Sequence, residues 1–376
     1  MMRSIAERAI EMQRDLYVCF IDYTKAFDKI RHKNLMQILN NLDLDGKDLR
    51  LIQDLYWRQQ AAIRIDNDLS KYVEIKRGVR QGCVLPPDLF SLYSEMIMRE
   101  VKDMDGIKVN GENITNVRYA DDTALIADSE KKLQDIVDKI VTESQKLGLS
   151  LNVKKTYCMV ISKKKETPKC HLKSAGVVIK QVEQFNYLGS MLTSDGRCET
   201  EIKRRIGIAK KSFKDLSNIL ANRKISFDTR KRILKSYVWS VLLYGCETWN
   251  ISKNMEERLS SVEIWFYRRM LRVSWMDKLS NQTILERAET HETLVTTITK
   301  RQMSFFGHVC RKEKLEYLVS TGKFEGKRAR GRQRQGYVAS MKRRMEQSWT
   351  ENKIIRSTKD RDIWTTMIVN VGGHGT

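Results

Sequence analysis

The stretch FIDYTKAFD, residues 20–28, joins the end of a short apolar strand to a turn region. The strand-type run is LYVCFI at 16–21, and Asp22 follows it directly. An Asp at the end of an apolar strand is held rigidly while it faces solvent, which is what a metal-binding carboxylate requires. Taken alone, Asp22 fits the N-cap of a helix better, because Asp commonly takes that role after a strand.

A second acidic feature is YADD, residues 119–122, between strand-like pieces at 116–118 and 123–127. The pattern predicts a tight hairpin with Asp121 and Asp122 at its tip. Two adjacent carboxylates repel each other, and a divalent cation would relieve that repulsion; a solvated Asp-rich turn is the alternative. Together with Asp22, the pair favours a site for two Mg²⁺ ions ~3.5–4 Å apart, the arrangement used in two-metal phosphoryl transfer.

Strands and helices alternate over the first part of the chain, which indicates an α+β sheet domain. A hairpin is predicted at 62–75 and a helix from about 88 to 101. An amphipathic helix is predicted from 130 to 147, ending at Gly148. From about Glu199 the pattern becomes almost wholly helical.

The charge balance points to an anionic partner. Lys and Arg total 69 against 47 for Asp and Glu, a net charge of +22, which suits nucleic acid or an anionic membrane surface. The longest apolar run, 237–246, is far shorter than the ~20 residues that a membrane span needs. The start, MMRSIAERAIEMQRD, lacks the apolar core and cleavage site of a signal peptide and predicts an amphipathic helix. We therefore expect no membrane segment.

The seven cysteines are odd in number and form no CxxC pair. This usage argues for reduced thiols in a cytoplasmic or nuclear protein. Cys170-His171 and His308-x-Cys310 come nearest to a metal cluster, but neither has a second half at zinc-finger spacing. A zinc site is not predicted.

The most basic stretch is 323–344, KFEGKRARGRQRQGYVASMKRR, with nine Lys or Arg residues and one Glu. Its glycines are expected to break any helix, and its spread charges suit contacts with phosphates. A disordered tail that binds polyanions non-specifically is an equally good interpretation.

Three further motifs complete an ordered series: RGVRQGC at 77–83, GLSLNVKKT at 148–156 and FNYLGS at 185–190. With FIDYTKAFD as motif A and YADD as motif C, they resemble motifs B, D and E of reverse transcriptases. The form F-x-Y-L-G and the run GKRARGRQR resemble LINE-type (non-LTR) retrotransposon proteins in particular. The resemblance implies a right-hand polymerase palm with a ferredoxin-like core over 1–197, with incomplete fingers. An all-helical thumb over 198–310 and a basic C-terminal region over 311–376 would follow.

The resemblance also assigns roles to residues of motifs A and C. Asp22 and Asp121 would bridge two metal ions, with Asp122 beside them. The backbone of Tyr23 would help to hold the ion on the triphosphate. Phe27 falls at the steric-gate position, where a bulky ring excludes a 2′-hydroxyl and so selects deoxynucleotides; an ordinary core Phe is the alternative.

Motifs B and D supply the remaining assignments. Gln81 and Gly82 would pack against the incoming nucleotide, since a glycine lets the backbone approach closely. Lys155 would donate a proton to the leaving pyrophosphate, and the adjacent Lys154 is the alternative. Pro86 stands where many members of the family have Ser, a departure that stiffens this loop and bears on the position of Gln81.

The activity implied is RNA-templated DNA synthesis from dNTPs, with an RNA template and a DNA primer as partners and Mg²⁺, or Mn²⁺, as cofactor. Only 21 residues precede Asp22, where the family carries a fingers region. The expectation is therefore a fragment of a retrotransposon protein that polymerises poorly. A catalytically silent nucleic-acid-binding remnant is the main alternative. A group II intron maturase shares the palm, but the LINE-like motif E argues against it.

Overall fold

The computed structural model describes residues 1–42, 44–57, 59–80, 82, 84–290, 292–322, 324, 326, 335–345 and 349–371. The chain forms two compact units: a sheet unit, Arg14–Glu183, and a helical unit, Met1–Gln13 with Gln184–Thr376. Helix α1 (Met2–Glu11) belongs to the helical unit although it opens the chain. The domain boundaries at 197/198 and 310/311 stay a prediction.

The sheet unit is organised around a five-stranded sheet. The strands of the whole unit are β1 (Leu16–Ile21), β2 (Gln60–Ala61), β3 (Arg64–Ile65), β4 (Asp68–Leu69), β5 (Val73–Glu74), β6 (Ile107–Val109), β7 (Glu112–Ile114), β8 (Asn116–Tyr119), β9 (Asp122–Ala127), β10 (Tyr157–Ile161), β11 (Lys173–Ser174), β12 (Val177–Val178) and β13 (Lys180–Gln181). The main sheet has the order β13-β10-β1-β9-β8. The central strand β1 is antiparallel to both β10 and β9. Its end is therefore flanked on both sides by hydrogen-bonded strands.

Helices pack against this sheet through an apolar core. They are α2 (His32–Asn40), α3 (Gly46–Trp57), α4 (Leu85–Arg99) and α5 (Glu130–Lys146). The stripe predicted on the 130–147 helix is confirmed, because Leu133, Ile136, Val137 and Ile140 are fully buried. Each such side chain contributes about 1.5–3 kcal/mol when it is removed from water. The predicted alternation of strands and helices is thus the fold of this unit.

Two local predictions in the sheet unit have different outcomes. The hairpin predicted at 62–75 exists, with β3 paired to β4 and β2 paired to β5. The helix predicted from about residue 88 begins earlier, at Leu85, with Pro86 in its first turn. Proline fits there because the first backbone N–H groups of a helix have no partner within the helix. The prolines therefore start α4 and do not merely stiffen a loop.

The helical unit follows from residue 184 onward. A two-stranded hairpin, β14 (Gln184–Tyr187) with β15 (Ser190–Thr193), precedes the helices. The helices are α6 (Glu199–Asp215), α7 (Ser217–Leu220), α8 (Phe227–Ile233), α9 (Ser240–Leu242), α10 (Lys253–Leu271), α11 (Asn281–Arg287), α12 (Leu294–Lys312), α13 (Leu315–Thr321), α14 (Tyr337–Arg344), α15 (Glu351–Ser357) and α16 (Arg361–Val369). A π-helical turn, Leu234–Trp239, joins α8 to α9. The largest side chains buried in this core include Trp249, Phe266 and Tyr267. The change to helical structure near Glu199 is as predicted.

The C-terminal part has its own apolar cluster, which includes Phe306, Met341 and Trp364. The prediction that glycines break any helix in 323–344 is wrong for its last part, because 337–344 forms α14. Arg344 is buried and donates hydrogen bonds to Thr299 Oγ1 at 3.0 Å and to Gln302 Oε1. Positions 323, 325 and 327–334 lie outside the described residues.

Two further observations concern membranes and thiols. Within the described ranges, no helix is both long and apolar enough to cross a bilayer. The six cysteines in those ranges are buried and carry no disulfide.

Candidate active site

Asp22 lies where β1 ends, on the edge of the sheet that also carries the tip of the β8–β9 hairpin. The antiparallel register pairs Ile21 with Thr123, so the next position along each strand places Asp22 opposite Asp122. Motifs A and C, which are far apart in sequence, therefore meet across two neighbouring strands. This register, and not a local turn, brings the carboxylates to one edge.

The hairpin tip is tight. Tyr119 pairs with Asp122, which leaves only Ala120 and Asp121 to form the turn. Ala120 has φ of +51°, a left-handed conformation that a residue with a Cβ adopts infrequently. The turn thus holds two carboxylates on adjacent residues in a constrained backbone.

The three carboxylates interact electrostatically. Burial raises the pKa of Asp22, and repulsion from Asp121 raises it further, whereas Lys155 and a hydrogen bond from Asn152 lower it. Burial likewise raises the pKa of Asp122, with added repulsion from both Asp121 and Asp22. Both shifts make the charged forms of Asp22 and Asp122 less favourable than in water, and a nearby positive charge favours them.

The stretch predicted as motif D holds the backbone of motif A in place. The Asn152 backbone N–H donates to the Asp22 carbonyl at 2.7 Å, and the Thr24 N–H donates to the Ser150 carbonyl at 2.9 Å. The Asp22 N–H reaches Thr156 Oγ1 at 3.4 Å. Asn152 was not singled out from the sequence, although it lies within the GLSLNVKKT motif. These bonds explain how Lys155, in the 3₁₀ turn Val153–Lys155, comes within electrostatic range of Asp22.

The side chain of Tyr23 belongs to the core. Its ring is buried, and its hydroxyl lies 3.1 Å from Ser144 Oγ. Burial raises the pKa of Tyr23 to about 12, so the phenol stays neutral. This arrangement leaves the backbone of Tyr23 for any contact at the site, which is the role that the resemblance assigns to it.

Phe27 opens the 3₁₀ turn Phe27–Lys29 and is half-buried. Its ring centroid lies 5.0 Å from that of Phe90, a buried residue of α4. The Phe27 carbonyl accepts a hydrogen bond from the Val79 N–H at 3.0 Å. The ring is thus packed on one side and partly accessible, and its position relative to a nucleotide stays a prediction.

Gly78 ties motif B to motif A and was not singled out from the sequence. A Cβ at this position would lie 3.2 Å from the Asp28 backbone, and its φ is +96°. Its N–H donates to the Ile30 carbonyl at 2.8 Å, and its carbonyl lies 2.7 Å from His32 Nε2. Only glycine fits this close, left-handed backbone contact.

Of the two residues predicted to pack against the incoming nucleotide, the structure describes one. Gln81 lies outside the described residues. Gly82 is exposed with φ of +91°, and a Cβ there would meet no atom of the described residues within 4 Å. Its packing against a nucleotide stays a prediction.

Motif E forms the β14–β15 hairpin, which is fixed within the helical unit. Leu188 and Gly189 both have positive φ, at +49° and +72°, as a tight two-residue hairpin turn requires. The Tyr244 hydroxyl donates to the Leu188 carbonyl at 3.0 Å, and Arg204 Nη2 donates to the Gly189 carbonyl at 2.7 Å. The hairpin tip is thereby anchored to α6 and to the segment after α9.

A comparison with protein families matches residues 1–192 to the family described as "Reverse transcriptase (RNA-dependent DNA polymerase)". The chain belongs to the reverse transcriptase family. The chain is 26% identical to the Pol polyprotein of the retrotransposable element R2 from Nasonia vitripennis, over 50% of this chain and 19% of the relative. It is 25% identical to the RNA-directed DNA polymerase of the mobile element jockey from Drosophila funebris, over 66% of this chain and 27% of the relative.

These relatives place the chain with the LINE-type elements, and its fold is a palm followed by a helical thumb. It spans about a fifth to a quarter of the length of these two relatives. Among solved structures, it aligns with telomerase from Candida tropicalis in complex with an RNA fragment at 13% identity. That alignment has a TM-score of 0.41 and covers 85% of this chain and 50% of the telomerase.

Asp22, Asp121 and Asp122 suit a hard divalent cation, because their carboxylates offer oxygen ligands and their mutual repulsion favours a positive charge between them. Among the described residues, however, no three Asp, Glu, His or Cys side chains are arranged to hold an ion together. What the fold provides is the strand register that brings Asp22 and the Asp pair to one end of the sheet.

Proposed function

We propose that this reverse transcriptase copies RNA into DNA by two-metal nucleotidyl transfer from a dNTP to a primer 3′-hydroxyl. The observation that carries the proposal is the strand register that sets Asp22 opposite Asp122, with Asp121 close enough to raise the pKa of both carboxyl groups. A solvated Asp-rich turn alone does not account for a third carboxylate supplied by the neighbouring strand. Structural roles at both motifs would leave this repulsion compensated only in part, by Lys155 and Asn152 at Asp22.

Asp22, Asp121 and Asp122 would hold the cations, Mg²⁺ or Mn²⁺. When bound, the ions supply activation of the primer hydroxyl and neutralisation of the triphosphate. The protein contributes rigid placement of the donors: Asp22 follows a central strand, Asp121 lies in a two-residue turn, and Asp122 begins β9. Such placement lowers the barrier because the reacting groups need no reorganisation.

Other residues would orient the nucleotide and move the proton. Lys155, which lies within electrostatic range of Asp22, would protonate the leaving pyrophosphate. Phe27 would select deoxyribose by filling the space of a 2′-hydroxyl. Gln81 and Gly82 would pack against the nucleotide, and the Tyr23 backbone would contact the ion on the triphosphate.

The nucleic-acid partners would be an RNA template and a DNA primer. The β14–β15 hairpin, anchored by Tyr244, would act as the primer grip. The net charge of +22 supplies the long-range attraction to phosphates that such partners need.

The test is primer extension on an RNA template with Mg²⁺ or Mn²⁺, using the full chain. Asp22→Asn and Asp121→Asn should each lower the rate by at least about 100-fold, since each removes a charged ligand of the cations that stabilise the reacting phosphate. Asp103→Asn is the matched control, because Asp103 is exposed and lies outside the motifs. Extension that survives both active-site substitutions would exclude the proposed site.

A second measurement separates the enzyme from a silent nucleic-acid-binding remnant, an alternative favoured by the lack of a closed ligand group among the described residues. Mn²⁺ binding is followed by electron paramagnetic resonance in the wild type and in Asp121→Asn. Binding that the substitution removes supports the enzyme. Nucleic-acid binding without Mn²⁺ binding or extension identifies the remnant.

A further inference from the structure

Two loops of the helical unit lie side by side although they are distant in sequence. One is the loop between α7 and α8, residues 221–226, and the other is the turn after α10, residues 272–280. Arg272 Nε donates to the Ala221 carbonyl at 3.0 Å. The buried Arg230 donates to the Leu220 carbonyl at 3.1 Å and to the Met270 carbonyl at 2.7 Å. These bonds fix the two loops as one surface.

The turn after α10 presents an aromatic side chain to solvent. Trp275 is 83% exposed and Met276 is 68% exposed. They stand on a 3₁₀ turn closed by a capping box, in which the Ser274 N–H donates to Asp277 Oδ2 at 2.7 Å. The Met276 N–H donates to Ser274 Oγ at 3.3 Å. The capping box orders the backbone of this turn, so the turn presents the large Trp275 ring to solvent from a defined position.

The surroundings of Trp275 are positively charged. Arg223, Lys224, Arg272 and Lys278 are all exposed, and none of them forms a salt bridge with another described residue. The carboxylate of Asp277 is engaged in the capping box. The pKa of Arg230 is lowered by burial and then by the like charges of Arg223 and Arg272. The surface therefore carries four exposed cations and one carboxylate, that of Asp277, and this excess of positive charge favours an anionic ligand.

We propose that this surface, named the Trp275 surface and formed by Arg223, Lys224, Arg272, Trp275, Met276 and Lys278, binds single-stranded nucleic acid. One base stacks on the Trp275 indole while the cations contact the flanking phosphates. Aromatic rings beside cationic side chains are the means by which proteins bind single strands without reading their sequence. In a duplex the bases are already stacked on each other, so a ring on a turn reaches only an unpaired base.

A membrane surface fits these features less well. Interfacial binding needs a broad apolar face with cations around it, whereas this turn offers two large apolar side chains. The inference rests on the proposed function only through the premise of a nucleic-acid ligand. It does not depend on catalysis, because the Trp275 surface shares no residue with the carboxylate cluster.

The experiment measures binding of a fluorescein-labelled oligouridine of twelve nucleotides by anisotropy, in EDTA and without dNTP, so that catalysis plays no part. Trp275→Leu should weaken binding roughly 5- to 150-fold, the range for loss of one stacked base. Trp275→Phe should restore most of the affinity. Trp57→Leu, at a half-exposed tryptophan of the sheet unit, is the matched control and should leave binding unchanged.

Three readouts separate base stacking from charge attraction and from a loss of folding. On a single strand, Arg223→Gln should make the slope of log affinity against log salt shallower by about 0.7, whereas Trp275→Leu should leave the slope unchanged. The Trp275→Leu loss should disappear on an abasic oligomer of the same length. The melting temperature should not change, because the ring is exposed.

Three outcomes would overturn the inference. They are equal affinity of Trp275→Leu and the wild type for oligouridine, an undiminished Trp275→Leu loss on the abasic strand, and vesicle binding that depends on Trp275 while oligomer binding does not. The vesicles contain phosphatidylserine and phosphatidylcholine. A failure of primer extension has no bearing on any of these results, so the two proposals fail separately.

Discussion

Phe27 is held by its neighbours in a way that makes its proposed role testable. Its ring packs against Phe90 at 5.0 Å, while part of it stays accessible. If the accessible part lies under the sugar of the nucleotide, Phe27→Ala should raise the use of ribonucleotides relative to deoxyribonucleotides at least roughly tenfold, the scale of steric discrimination in a pocket. The measurement is the ratio of kcat/KM for rNTP and dNTP in primer extension, in which general losses of activity cancel.

The control for this prediction is Phe90→Leu. Phe90 is fully buried and does not reach a ligand, so its substitution should lower stability but leave the sugar ratio unchanged. If Phe27→Ala leaves the rNTP to dNTP ratio of kcat/KM unchanged, Phe27 is an ordinary core residue.

Glu263 is a buried acid in the helical unit whose charge state should control stability. Its Oε2 accepts a hydrogen bond from the Leu294 N–H at 2.9 Å, and Oε1 has no partner among the described residues. Burial raises the pKa of Glu263 to about 7. A pKa above the unfolded value of ~4.3 means that the folded state holds the proton more tightly, so stability is lost as pH rises from about 4 through 7.

Glu263→Gln should remove this dependence. Relative to the variant, the wild type should lose on the order of 3 kcal/mol of unfolding free energy between pH 4 and pH 8. Urea unfolding at several pH values measures it, with Glu257→Gln as control, since Glu257 is exposed on the same helix. Parallel pH profiles for the wild type and Glu263→Gln would show that the carboxyl is ionised in the folded state.

At the scale of elements, the end of α5 positions the stretch that holds Asp22. The Gly148 N–H donates to the Gln145 carbonyl and the Leu149 N–H to the Ser144 carbonyl, the two bonds of a Schellman motif. Gly148 has φ of +79°, and a Cβ there would lie 2.5 Å from Arg31 Nε. This turn begins motif D, which continues to Asn152 and its bond to Asp22.

Gly148→Ala should therefore destabilise the fold by about 1–2 kcal/mol for the left-handed conformation, with an additional cost for displacing Arg31. Gly176→Ala is the matched control, because Gly176 has φ of +80° but open space around it. Thermal unfolding of the two variants measures the difference. Equal losses at both positions would mean that the Arg31 side chain moves aside freely.

Hydrophobic periodicity and turn residues predict some of these elements and not others. The stripe on α5 and its end at Gly148 follow from local sequence. The start of α4 at Leu85 and the helix α14 do not, because prolines and glycines were interpreted as breaks where tertiary packing supports a helix. Arg344 shows the reason: its buried hydrogen bonds reach residues of α12, which a local pattern does not contain.

The site was predictable as a set of residue types, but its geometry was not. The Asp residues of motifs A and C stand out as carboxylates beside strands. The register that sets Asp22 opposite Asp122 depends on pairing between β1 and β9, which is not encoded in either strand alone. Asn152 and Gly78 were missed because their roles are contacts of the backbone with motif A.

At the scale of the whole molecule, the helical unit is built from both ends of the chain. Arg3 of α1 donates to Ser190 Oγ at 2.8 Å and to the Met191 carbonyl at 2.9 Å, both in the motif E hairpin. Asn250 Nδ2 donates to Glu7 Oε1 at 2.5 Å. A helix before the first strand of the palm thus supports the motif E hairpin, an arrangement that a division of the chain into consecutive domains does not anticipate.

The net charge of +22 should dominate the affinity of the whole molecule for nucleic acid. When a protein neutralises Z phosphates, log affinity falls against log salt with a slope of about −0.9Z on a B-form duplex and −0.7Z on a single strand. Replacing Lys327, Arg328, Arg330, Arg332 and Arg334 with Gln should make the slope on single-stranded RNA shallower by up to about 3.5. Deleting 323–344 is a poorer test, because it removes the buried side chains of α14.

The comparison needs a variant of equal charge. Replacing five exposed lysines of the sheet unit with Gln, at positions 163, 165, 169, 173 and 180, lowers the net charge by the same amount. Anisotropy titrations between 50 and 300 mM salt, a range in which Debye screening changes by about twofold, give the slopes. A larger change for the 327–334 variant locates the phosphate contacts in that stretch. Equal changes would mean that the attraction is spread over the molecule. No change of slope in either variant would mean that the positive charge does not serve to bind nucleic acid.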